Sequence, residues 1–141
     1  MVVGVDTEVM RERFLAGRVA RLATITPEGE PHVVVCCFTV SGETVYTAVD
    51  AKPKSTFALR RLANVRKHPY ASLLVDHYDD DDWNTLWWVR ADGRVRVLDA
   101  GNERDRAVDA LAEKYEQYRA VRPPGAVLAL DVESWRGWAA R

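Results

Sequence analysis

Between Val19 and Val49 the chain repeats one pattern three times. Val19 to Thr26, His32 to Val40 and Thr44 to Val49 are alternating or β-branched runs. They are separated only by Pro27-Glu28-Gly29-Glu30-Pro31 and by Ser41-Gly42-Glu43. Connections this short cannot carry a parallel crossover, so neighbouring runs must be antiparallel. Gly29 supplies positive φ in the first turn. Val33 to Phe38 is apolar on both faces, which predicts a central strand. The reading for this third of the chain is a three-stranded meander.

Further strands are expected at Ala71 to Val75, Asn84 to Leu98 and Ala126 to Val132, six in all. Asp92-Gly93 could turn a hairpin, but Val95 and Val97 continue the alternation, which favours a bend or bulge within one strand. Ser134 to Arg141 reads as a tryptophan-bearing tail. A helix is predicted over residues 6–16, capped by Asp6 or Thr7, burying Met10 and Phe14 and ending at Gly17. A second is predicted over residues 102–119, with Val108, Leu111, Tyr115 and Tyr118 on one face. The expected fold is mainly β (α+β), a six-stranded antiparallel split barrel with flanking helices. With 141 residues and no linker or repeat, one domain over residues 1–141 is expected. A barrel this small fills its interior with side chains, so a large ligand would lie in an outer groove. A second copy could complete that groove.

Residues Thr44 to Pro69 form a strand, a lysine-bearing turn and a basic helix. From Ala51 to Val75 there are six Lys or Arg and no acidic residue. Ser55 or Thr56 is a natural N-cap, and Pro69 stops the helix. Lys52 and Lys54 therefore stand beside free amides at the positive end of a helix, where a phosphate can bind. The alternative is a solvated basic face.

Net charge is -1, so nothing global points to nucleic acid or an anionic membrane. No signal peptide or long apolar run is present, and a cytoplasmic protein is expected. Cys36 and Cys37 are adjacent and point to opposite faces, which argues against an internal disulfide; they read as small core residues. Asp79 to Asp82 lack the ligand register of a calcium loop. They read as a solvated loop or a partner for the basic helix. Asp76 ends a buried strand and is expected to cap or pair, with Arg90 or Arg94. His32 and His77 read first as structural. Trp87 and Trp88 must face opposite sides of their strand, placing at least one at an interface or flat ligand, unless both are core. No nucleophile elbow, catalytic triad or well-spaced carboxylate pair is present. Redox chemistry here would have to come from a cofactor.

The chain resembles the pyridoxamine 5'-phosphate oxidase-like superfamily of split-barrel flavoproteins. The resemblance lies in Gly29-Glu30-Pro31-His32, Val45-Tyr46-Thr47 with Lys52 and Lys54, Leu62-Ala63-Asn64-Val65 to His68-Pro69, Ala71 to Val75, and Gly93. DHYDDDDW followed by LWWVR is most similar to the actinobacterial deazaflavin-dependent group. This implies a homodimer using coenzyme F420 to pass a hydride to a small electron-poor acceptor. It implies that Val33, Val35 and Cys36 back the ring, and that Thr47, Ala48, Lys52, Lys54 and Ser55 surround the phosphate tail. Trp87 or Trp88 would reach the partner's cofactor. Proton donors stay open among Tyr78, His32 and solvent. FMN-using members place a basic residue at the end of the second strand, whereas this chain has Val35-Cys36-Cys37 there. FMN or FAD is the alternative cofactor, and a non-catalytic cofactor- or haem-binding module with His32, His77 or His68 as ligand is the third.

Overall fold

The computed structural model describes residues 6–49 and 56–140, with the backbone alone at residues 56–59. The order is α1 (Thr7–Ala16), β1 (Ala20–Ile25), β2 (Pro31–Cys36), β3 (Thr39–Ser41), β4 (Thr44–Ala48), α2 (Thr56–Lys67), β5 (Tyr70–His77), β6 (Trp87–Leu98), α3 (Asn102–Lys114), α4 (Glu116–Ala120) and β7 (Val127–Ala139). A short 3-10 turn at Trp83–Thr85 precedes β6.

All seven strands form one antiparallel sheet in the order β2-β1-β5-β6-β7-β4-β3. The two end strands, β2 and β3, are joined by Cys37 and Phe38 alone. Laid flat at about 4.8 Å per strand, the ends would be about 29 Å apart. Three Cα steps of about 3.8 Å reach about 11 Å at most. The sheet must therefore curl until its ends meet, which gives a split barrel.

This topology corrects three expectations. The described residues form seven strands, not six, because the run from His32 to Val40 breaks at Cys37-Phe38 and its halves join opposite ends of the sheet. The Val33–Phe38 stretch is not a central strand: β2 is an end strand, and Val33 and Val35 are 61% and 60% exposed. The first hairpin, β1–β2, and the second, β3–β4, form as expected. The three runs do not form one meander.

Residues 134–139 are no tail. They continue β7, pairing with the first half of β6. The register shifts at Asp92/Gly93, where Ser134 and Val132 face successive β6 residues, so Glu133 is the extra residue of a bulge. A Cβ on Gly93 would lie 2.0 Å from the Asp131 carbonyl oxygen. Only glycine permits that approach, and β6 remains one strand through the bend, as its alternation predicted.

The barrel interior is filled by Leu22, Phe38, Val45, Leu73, Val89 and Leu130 among others. Helix α1 is capped by Asp6, whose side chain accepts from the Glu8 amide at 2.9 Å. It stacks Phe14 on Phe38 and Trp135, with ring centroids 4.9 and 5.3 Å apart. Helix α3 packs Ala107, Val108 and Leu111 with Ala48 and Val127 in a second cluster. The expected 102–119 helix is broken at Tyr115, which adopts φ -122° and ψ 120°. Its hydroxyl accepts from the Phe38 amide at 3.1 Å and is shared as a donor between the carbonyls of Arg18 (2.9 Å) and Phe38 (3.1 Å).

Candidate functional site

Where β2 and β4 end, the sheet leaves a cleft of about 330 Å³. Val35, Cys36 and Cys37 form one wall, and Ala48 and Val49 another. Arg61 enters from α2, while Gln117 and Tyr118 enter from α4. The topology explains the location: the β2–β3 crossover spans the two ends of the sheet, and the cleft lies beside it.

Three of the expected ligand-binding residues, Val35, Cys36 and Ala48, thus meet in one cleft. Thr47 lies behind them, 2% exposed, its hydroxyl donating to the Cys37 carbonyl at 2.7 Å. It braces β4 against the crossover. Val33 is two residues further out on the exposed face of β2. Lys52, Lys54 and Ser55 lie outside the described residues. They belong to the connection between Val49, whose amide is held by the Ala126 carbonyl at 2.9 Å, and the start of α2.

The electrostatics of the cleft are set by Arg61. It is only 9% exposed, and its Nε has no hydrogen-bond partner among the described residues. A buried guanidinium beside apolar walls suits an anionic partner. Burial pushes the Cys36 thiol up, against the opposing pull of the Thr47 side chain and Arg61. Cys36 is therefore a neutral wall and no nucleophile. Among the described residues no carboxylate lines the cleft. The arrangement can hold an anionic group and a flat apolar surface, and the reactive groups among its described lining are the Cys36 and Cys37 thiols and the Tyr118 phenol.

Trp87 and Trp88 line a second, aromatic cavity of about 430 Å³ with Leu74, His77 and Trp138. They do face opposite sides. Trp87 packs on the main core, with the Arg13 guanidinium 5.6 Å over its ring and His77 stacked 6.2 Å away. Trp88 pairs across the sheet with Asp76 and Trp138. Cross-strand partners share a face, so Val35, Arg21, Leu74, Arg90 and Arg136 form one outer row, with Trp88 and Trp138 in the next. Within one chain, therefore, Trp88 and Val35 lie on the same outer face but three strands apart.

Asp76 pairs with neither Arg90 nor Arg94. It accepts from Arg21 at 2.5 Å, because the register sets it opposite Trp88. Arg90 is taken by Asp92 at 2.7 Å, and Arg94 donates to the Tyr70 hydroxyl at 3.1 Å. The acids of the 79–82 loop make local turns: Asp79 accepts from the Asp81 amide and Asp82 from the Asn84 amide. His32 lines a third cavity, under the β1–β2 hairpin, beside Asn64. Its Nδ1 is buried without a partner among the described residues, and Asn64 Nδ2 donates to Thr24 at 3.0 Å.

Arg61, Gln117 and Tyr118 were not among the ligand-binding residues expected from the sequence, where Tyr118 was placed on the packing face of the 102–119 helix. For Arg61 a signal existed. It stands one helical turn before Val65, which is 2% exposed, so a charge occupies the buried face of α2. Gln117 and Tyr118 reach the cleft only because the helix breaks at Tyr115.

The sequence pattern of pyridoxamine 5'-phosphate oxidase matches residues 6–139, nearly the whole chain. The chain belongs to this family. No curated protein matches it. Solved structures similar to this family member include a conserved hypothetical protein from Mycobacterium tuberculosis, 21% identical with a TM-score of 0.77, covering 99% of this chain and 88% of that one. A heme binding protein from Mycobacterium smegmatis is 20% identical with a TM-score of 0.78, covering 99% of this chain and 56% of that one. A FAD-binding protein from Mesorhizobium loti is 22% identical with a TM-score of 0.73, covering 97% of this chain and 96% of that one. At these identities the likeness is one of fold. Among the described residues no helix is long and apolar enough to cross a membrane.

Proposed function

We propose that this family member is an oxidoreductase whose cofactor is a tricyclic redox ring on a phosphate-bearing tail. Coenzyme F420 is the first reading, and FMN or FAD the alternative. The observation that carries it is Arg61, buried at the end of β2 and β4 with an Nε that has no partner among the described residues. The second strand brings no positive charge there, and α2 brings one instead. Arg61 thereby meets the need that the FMN-using relatives meet with a strand residue, which keeps the flavin alternative open. The similar FAD-binding protein points the same way, while the 76–90 segment favours deazaflavin.

The residues fit such a group. Arg61 would hold its anionic tail, with Lys52 and Lys54 expected to add to it from the adjoining connection. The walls of Val35, Cys36 and Ala48 would give the molecule a dry surface. When bound, the cofactor supplies the hydride. The chain's part is to bind, orient and exclude water, so the catalysis is positional. The acceptor would be a small electron-poor molecule.

The reading includes a homodimer. The outer face that carries Val33, Val35, Leu74 and Trp88, interleaved with Arg21, Arg90 and Arg136, is part-exposed, and on it a second copy would set its Trp88 and Trp138 near the cleft. A cytoplasmic location is part of the same proposal. Titration of the purified protein with F420, FMN and FAD, followed by tryptophan fluorescence, should rank one of them below about 10 μM. Mixing with the reduced cofactor and a panel of enones and quinones should then consume it. Absence of binding by all three removes the reading.

A haem-binding module is the second reading, favoured by one observation: His77 lines the apolar, aromatic cavity. A Soret band lost on His77→Ala would establish it.

A further inference from the structure

We propose that Tyr115 is a positioning residue that sets the Cys37 wall of the cleft, an inference that rests on the cleft being the cofactor site. The crossover from β2 to β3 has two residues and no strand partner. Its conformation is fixed from outside. Thr47 holds the Cys37 carbonyl at 2.7 Å, and the Tyr115 hydroxyl takes both polar groups of Phe38, at 3.1 Å each. The same hydroxyl also reaches the Arg18 carbonyl at 2.9 Å, tying in the residue just before β1.

Tyr115 is also where the helix breaks, and the break turns α4 so that Gln117 and Tyr118 line the cleft. A single phenol thus joins two facing walls, one from the crossover and one from α4. Around it the neighbours close ranks. Lys114 Nζ sits 3.8 Å over the Phe38 ring and donates to the Leu15 carbonyl, and the Arg18 guanidinium lies 4.7 Å over the Tyr115 ring. Burial raises the Tyr115 phenol above its ordinary pKa, so the hydroxyl keeps its proton and can donate as well as accept. Phenylalanine here would keep the ring and its edge contact with Tyr118 at 5.7 Å, removing only the latch.

The test is Tyr115→Phe with three readouts. The first needs no cofactor: alkylation of Cys37 by iodoacetamide, mapped by fragmentation mass spectrometry, with buried Cys36 as internal reference. The expected result is Cys37 labelling at least about tenfold faster, the factor for loss of one net buried hydrogen bond. The second is the dissociation constant of the cofactor that the wild type binds, expected to rise about tenfold for the same reason. The third is urea stability, compared with Val89→Ala, a core truncation in β6 that shows what stability alone does to labelling. Labelling that merely tracks the unfolding constant, as in Val89→Ala, overturns the proposal. So does an unchanged dissociation constant. Should the wild type bind no cofactor, the functional reading fails, while Cys37 labelling still decides whether Tyr115 sets that wall. If the variant does not fold, amide exchange on the wild type decides: Phe38 N–H must be protected like the core strands, and rapid exchange there sinks the latch.

Discussion

Arg61→Met should move stability and ligand affinity in opposite directions. Arg61 is 9% exposed, and its Nε donor is unmatched among the described residues. A buried donor left unsatisfied costs about 1–3 kcal/mol, more when charged. Methionine keeps the length of the stem and its packing and removes that cost. Part of the gain is lost to a looser fit, so the cofactor-free variant should be about 1 kcal/mol more stable. For a domain of this size that is about 3 °C in midpoint. With an anionic tail in the cleft the sign reverses. The lost hydrogen bond to a charged group is worth about 1.5–3 kcal/mol, a weakening of about tenfold to 150-fold. Urea melts of the cofactor-free proteins give the first number, and fluorescence titration the second. A variant that is less stable yet binds as tightly as the wild type would falsify the reasoning, because Arg61 would then be a structural residue satisfied in place.

The remaining predictions concern the frame around the cleft. Gly93→Ala should cost about 3 kcal/mol in a urea melt, because its Cβ would meet the Asp131 carbonyl at 2.0 Å and force β6 and β7 apart. Arg96 grips Glu103 at 2.7 and 2.8 Å and Asp131 at 2.6 and 2.9 Å, and its bonds to Glu103, with that from Tyr46, hold the Glu103 carboxyl down at about 2. That stability is present above the ordinary carboxylate range and lost as pH falls from about 4.5 to about 2; Arg96→Met should flatten this acid limb and, the side chains being a third or more exposed, cost about 1 kcal/mol at pH 7. Burial, then Arg18, pulls the Lys114 ammonium down to about 8. At Lys114 the native state therefore holds fewer protons than the unfolded chain between about 8 and 10.5, so this group's contribution to stability rises with pH across that window, and the difference in stability between wild type and Lys114→Met should change by that contribution.

What the sequence made legible was local. The Asp6 cap, the Gly29 turn at φ 89°, the bend at Gly93 and the opposed faces of Trp87 and Trp88 each depend on residues within a few positions. What it hid depends on partners far away in the chain. Val33 to Phe38 looks central because it is apolar on both faces. Its outer valines are exposed because only the pairing decides which strand is last. Residues 134–139 look like a tail because Glu133 interrupts their alternation. They become strand only opposite the long β6, whose first half would otherwise lack a second partner. The cleft divides the same way. Val35, Cys36 and Ala48 were reachable from the motif order, whereas Arg61 required asking why a charge stands on the apolar face of α2.

These two kinds of information meet at Cys37 and Phe38. A sheet whose first and last members are separated by two residues has no choice but to close, and it closes imperfectly, since β2 and β3 do not pair with each other. Backbone groups at that seam must find partners elsewhere. Phe38 finds Tyr115, and Cys37 finds Thr47. The elements that provide them, α3 with α4 and β4, are therefore drawn to the seam and leave a hollow between them. Into that hollow α2 projects Arg61. The cleft is thus a by-product of how this barrel splits, and a ligand placed there touches the residues that hold the split together. That is why changes at Tyr115, which does not line the cleft, should be felt by whatever binds inside it.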